Sequence, residues 1–270
     1  MASLTRPFKM VQDTSRRRLD AVTRHFHASL QYPAKSLSAA NELGTFRLGP
    51  HVAIPVHAAD APERIPPERL LLDLEDPIVL EHLEFLGKKW QLRQDVFLSS
   101  PPGPYTRRLC QTFAALIQVP VEYVSLHRDI GEAELLQQRS LEAGGNLRYD
   151  DGPVVRAMKH GRILILDGIE RAERGVMPIL NNILENREQN LADGTQLVPS
   201  ERLTAANHQL QQDSGNAHAR FIPVHPDFRV FCLGLPVPPY RGHPLDPPFR
   251  SRFQARWVEG AVFAPPQIGR

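Results

Sequence analysis

The stretches "RILILD" (162–167) and "FRVFCLGL" (228–235) run apolar with no polar phase. Successive side chains of a strand point to opposite faces of its sheet, so such a run is expected where both faces are covered. Segments with helical spacing lie between runs of this kind. Asp76 offers an N-cap and Pro77 a first helical residue, and Val79, Leu83, Leu86 and Trp90 follow on one face. The alternation continues as strand 95–99, helix 105–118, strand 121–126, helix 153–160, strand 162–167, helix 175–186 and strand 228–233. It predicts an α/β domain around a single core, with a mostly parallel sheet flanked by helices.

Other segments interrupt the alternation. Pro50, Pro55 and Pro62 cut residues 44–65 into pieces too short for a helix, which leaves room for a strand or two. Asp193-Gly194 in "REQNLADGTQLV" predicts a two-residue hairpin turn. Residues 200–219 begin as a helix capped by Ser200 and end in the loop-like "DSGNAHA". "LEAGGNLRYDD" (141–151) reads as an exposed loop, and its last two residues, Asp150 and Asp151, as acids that complement the start of the helix at Pro153.

Charge and cysteine usage narrow the function classes. Of the residues behind the net charge of +2, seven Lys/Arg and only two acids fall within 1–41, so the remainder is mildly acidic. A phosphate-backbone footprint needs clustered positive charge on the folded part, so no nucleic-acid partner is expected. Residues 1–41 are Arg-rich and acid-poor, the composition of a mitochondrial targeting segment or of a basic tail. No apolar run nears the roughly 18 residues of a membrane span. Cys110 and Cys232 each sit in an apolar run, and the eleven histidines form no ligand pattern, so neither a disulfide framework nor a metal cluster is indicated.

Open α/β sheets bind ligands beyond the carboxyl ends of their strands. After the first core strand comes "SPPGPYTRR". In the phosphate loop G-x-x-x-x-G-K-[ST], the defining positions fall here on Ser100, Tyr105, Thr106 and Arg107, and none matches. Pro101 and Pro102 also lack amide donors. A helix N-terminus with Gly103 and two cations, Arg107 and Arg108, survives: either a phosphate site without its lysine or a proline-bent turn. Asp167 ends its strand where P-loop proteins place a magnesium-orienting aspartate, or serves as an N-cap after that strand. Gly168 stands in place of the usual glutamate, with Glu170 two residues on. "RSRF" (250–253) comes after a sheet strand, as an arginine finger would.

"GPVVRAMKHGRILILDGIERAERGVMPILNNILENREQNLADGTQLV", "FRVFCLGLPVP" and "GHPLDPPFRSRF" together resemble the AAA+ ATPase core of the MoxR, midasin and dynein-related group, over about residues 44–258. The resemblance implies a P-loop NTPase core at 42–259, preceded by a mitochondrial segment at 1–41 and followed by a short tail at 260–270, with the helical lid missing. It implies ATP and Mg²⁺ as ligands. Ser100, Pro101, Pro102, Gly103, Pro104, Tyr105, Thr106, Arg107 and Arg108 would surround the nucleotide. Asp167 would hold magnesium through water, Glu170 is the nearest carboxylate for catalysis, and Arg252 would be the finger offered to a neighbouring subunit of a ring. The sensor asparagine falls on Leu235. With lysine, glutamate and sensor replaced, little hydrolysis is expected; the alternative is a non-catalytic interaction module that supplies Arg252 to a neighbour.

Overall fold

The computed structural model describes residues 42–141, 144–202 and 220–259. The expected targeting segment, most of the 200–219 insertion and the tail at 260–270 lie outside the described residues.

The central sheet has five strands, all parallel, in the order β12-β3-β11-β7-β4: Gln254–Trp257, Val96–Ser99, Arg229–Gly234, Ile163–Asp167 and Val121–Ser125. Both predicted apolar runs are central strands. In β7, Leu164 and Leu166 face one side, with Val154, Met158, Ile183 and Phe228. Ile163 and Ile165 face the other, with Leu83, Leu109, Phe113 and Phe231. The expected single core is therefore two apolar layers divided by the sheet.

Helix α1 (Pro77–Gln91) begins as expected: the Asp76 carboxylate accepts the Ile78 amide at 2.9 Å, with Pro77 next. Its buried face packs with α2 (Tyr105–Leu116) and with the antiparallel hairpin β1–β2 (Glu42–Leu48, Val52–His57). Gly87 lets this contact close, since a Cβ there would stand 2.5 Å from Val52 Cγ1. On the opposite face lie α4 (Pro153–His160) and α5 (Met177–Asn186).

Three local expectations change. "LEAGGNLRYDD" is not a loop: β5 (Gln137–Leu141), which comes after the short helix α3 (Glu132–Leu135), pairs antiparallel with β6 (Leu147–Asp151). Asp150 and Asp151 bind this hairpin and its surroundings instead of the helix dipole. Asp150 accepts from Ser140 Oγ at 2.7 Å, and Asp151 from Gln137 Nε2 at 2.9 Å and Lys159 Nζ at 2.6 Å. The Asp193-Gly194 hairpin joins β8 (Gln189–Asn190) to β9 (Thr195–Pro199), but Leu191 N bonds Thr195 O at 2.8 Å, so the loop has three residues, with Gly194 at φ +83°. A left-handed glycine ending a three-residue loop is the next commonest hairpin solution. β9 then pairs parallel with β10 (Arg220–Val224).

At the edge strand β4, one buried carboxylate gathers three arginines. Glu122, 2% exposed, receives Arg162 Nη1 at 2.7 Å, Arg156 Nη2 at 2.9 Å and Arg64 Nη1 at 2.9 Å. Arg162 also reaches Asp60 at 2.9 Å, and both acids push its pKa up against the opposing effect of burial. The network ties the 60–64 segment and α4 to the sheet. Glu122→Ala takes away the carboxylate shared by three arginines and leaves the buried Arg162 with only the half-exposed Asp60 as counter-charge, and should lower the unfolding free energy by about 3 kcal/mol. Urea denaturation checks this; a loss under about 1 kcal/mol, the size of an exposed pair, would contradict it.

Candidate functional site

Because β11 lies between β3 and β7, the loop after β3 and the end of β7 flank one crevice at the carboxyl rim of the sheet. The register pairs Gly234 with Ser99 and Leu233 with Asp167, so both sides end at one level. Ligands of open α/β sheets bind in such a place.

On the first side the loop is short and rigid. Ser100 N bonds Gly234 O at 3.4 Å, and the buried hydroxyls of Ser100 and Thr106 share a hydrogen bond of 2.6 Å. Thr106 occupies the lysine position, so no charge enters the crevice there. Pro101, Pro102, Gly103 and Pro104 are exposed, and among the described residues a Cβ added at Gly103 would meet nothing within 4 Å beyond its chain neighbours. The first-turn amides of α2 have no intrahelical carbonyl to bond and remain an anion-binding terminus, although three prolines have removed donors before it. Tyr105 turns away from the crevice, edge-on to His82 at 6.4 Å. With Leu72, Asp76, Val79 and Arg108 it lines a cavity of about 140 Å³. Its buried hydroxyl has no hydrogen-bond partner among the described residues, and burial raises its pKa.

The two arginines part company. Arg108 donates to Leu70 O at 3.0 Å and Leu71 O at 2.9 Å, so it holds the 70–71 segment and does not face phosphates as expected. Adjacent helical residues point about 100° apart, so only one of the pair can meet the crevice. Arg107 does: its Nε donates to Asp167 Oδ2 at 2.9 Å, across the rim. The same oxygen accepts from Tyr123 OH at 2.8 Å, and the guanidinium lies 5.3 Å over the Tyr123 ring. Burial and the Asp167 hydrogen bond raise the Tyr123 pKa, keeping the phenol a donor. The helix that follows the β3 loop and the aspartate that ends β7 thus meet, through a protein cation.

Glu170 does not face attacking water as a catalytic residue would. Gly168 at φ +86° turns the chain into a single 3₁₀ turn (Ile169–Arg171) that rotates Glu170 inward, where it is 4% exposed. One carboxylate oxygen accepts Leu235 N at 3.1 Å, the other lies 3.4 Å from Arg171 Nε, and His243 N bonds the Glu170 carbonyl at 2.8 Å. A Cβ on Gly242 would meet Glu170 at 2.7–2.8 Å. Glu170 is a buried clasp between two loops, and Leu235 contributes its amide to that clasp.

Arg252 stands on the flank. It pairs with Glu185 of α5 and donates to Pro248 O at 2.8 Å, with its side chain 23% exposed. Short helix α6 (Pro247–Arg250) and Phe253 fix it from below, with Phe253 6.2 Å from Phe97 and 5.1 Å from Phe249. Arg250, not Arg252, lines the second cleft at the rim, of about 260 Å³, with Ser99, Glu170, Leu235 and His243. Sequence reading missed Tyr123 and Arg250. Tyr123 reaches Asp167 only because β4 pairs with β7, with Ser125 opposite Asp167, and a single strand carries no signal of that neighbour.

Residues 95–253 match the AAA domain of the dynein-related subfamily. The chain is 45% identical over 195 residues to von Willebrand factor A domain-containing protein 8 of Mus musculus, an overlap of 72% of this chain and 10% of that protein. Uncharacterised proteins of Staphylococcus epidermidis and Staphylococcus aureus are 32% and 29% identical over 104 residues, covering 37% of this chain and 40% of theirs. A solved structure from Cytophaga hutchinsonii covers 68% of this chain and 49% of its own, at 15% identity and a TM-score of 0.44. The chain therefore spans a tenth of the mouse relative's length and two fifths of the staphylococcal ones.

If Glu170 is a clasp, Glu170→Ala strands the Leu235 amide and should cost about 1–3 kcal/mol, while Glu170→Gln, which keeps an acceptor, should cost less. Thermal melts of the two variants check the ranking; equal stability to wild type in both would contradict it.

Proposed function

The chain belongs to the dynein-related subfamily of AAA domains, and on that footing we propose that it is an ATP-binding module with negligible hydrolysis of its own. Phosphates are held by the first-turn amides of α2, by the open backbone at Gly103 and by the Arg107 guanidinium, the combination that suits an anion at a helix N-terminus. The observation that carries this function is the joining of α2 to Asp167 by Arg107 across the crevice.

Hydrolysis in this family requires a residue that orients and activates water. Glu170 is buried with its carboxylate bonded, and Leu235 has no polar side-chain atom to place a water. Magnesium fits the residues poorly: the serine or threonine that would ligate it is Arg107, and the nearby hydroxyls of Ser100 and Thr106 are buried against each other.

AAA+ proteins typically assemble side by side, and this module has neighbouring AAA+ modules or subunits as its partners. Arg252 is the residue it offers them; the exposed Glu185 partner must first release it, and such pairs are worth only about 0–1 kcal/mol. The basic composition of residues 1–41 supports import to the mitochondrion, on the matrix side. Steady-state phosphate release by the full chain should stay near the unassisted NTPase range of about 10⁻³ s⁻¹ or below. Turnover of about 1 s⁻¹ or more that is lost in Asp167→Asn would contradict the assignment.

A further inference from the structure

We propose that the Arg107 guanidinium takes the place of magnesium in this chain, so that nucleotide is bound without a divalent metal. The inference rests on the nucleotide-binding function above and adds to it the ionic form of the ligand: a metal-free polyphosphate. Arg107 falls on the residue position whose hydroxyl would ligate magnesium, and its side chain lands on the carboxylate that would orient the same ion. A cation thus stands where both protein contacts of the metal converge.

The details oppose a second cation. Asp167 Oδ2 already accepts two hydrogen bonds, at 2.9 and 2.8 Å, from Arg107 and Tyr123. The Arg107 guanidinium lies 5.3 Å over the centroid of the Tyr123 ring. A dication entering this space meets like charge from Arg107 and finds no hydroxyl at the loop position to complete the near-octahedral shell that magnesium demands. The guanidinium is better suited to the phosphates. Nε is used on Asp167, and among the described residues neither terminal nitrogen has another hydrogen-bond partner. Their four N–H groups, on a side chain 44% exposed, remain for the fork-like recognition of phosphate oxygens.

Calorimetric titration of the full chain with ATP, once in excess EDTA and once in excess Mg²⁺, tests the proposal. The expected result is affinities equal within about twofold. Arg107→Ser, which restores the metal-ligating hydroxyl, should weaken metal-free binding by about tenfold or more and make affinity magnesium-dependent. Arg107→Gln serves as the second variant, expected to lose metal-free affinity and to gain nothing from Mg²⁺. A wild-type affinity raised tenfold or more by Mg²⁺ would overturn the inference and leave the nucleotide assignment standing. Absence of binding in both buffers would overturn the nucleotide assignment, and this inference with it.

Discussion

A carboxylate at the end of a buried parallel strand is held in a medium that penalises unmatched charge, and it must find a cation or hydrogen-bond donors. Asp167 closes β7 in such a setting and finds both inside the chain, in Arg107 and Tyr123. That pairing joins the helix after β3 to the strand two places away in the sheet, and with β11 between them it sets the width of the crevice. The Arg107–Asp167 pair is half exposed on its arginine side, so its importance is geometric more than energetic.

The same device recurs around the sheet with deeper burial. Glu122 collects three arginines at the edge strand, and Asp95, 6% exposed, takes Arg187 at 2.6 Å and the Val230 amide at 2.8 Å at the opposite end of the strands. Glu170 joins the loops after β7 and β11. Each acid fastens a separate connection to the rigid sheet, and together they leave the rim preorganised. Glu170, two residues beyond Gly168, serves cohesion, and the neighbouring charge at Asp167 is matched by a side chain.

Much of the scaffold was legible in the sequence because its signals are local. Unbroken apolar runs identify β7 and β11, and the Asp76-Pro77 pair marks the start of α1. The hairpin β5–β6 escaped because "QQRSL" has no apolar face, and its pairing is made by cross-strand polar contacts such as Ser140 to Asp150. At the site, the loop, Asp167 and the arginine pair could be read, but not which arginine faces inward, since that depends on the helical phase of α2 against β7. Nor could the inward turn of Glu170 be read, which needs the left-handed Gly168 and the approach of Gly242. Residue type and order predict which groups gather at a rim; rotation and register decide which of them face the ligand.

The most direct test is a crystal structure of the chain grown with ATP and magnesium together. Electron density for the Arg107 guanidinium lying between the Asp167 carboxylate and the phosphate oxygens, with no octahedral ion at about 2.1 Å from oxygen ligands there, is the expected result. An octahedral ion bridging phosphate to Asp167 through its water shell, with Arg107 swung out to solvent, would contradict it.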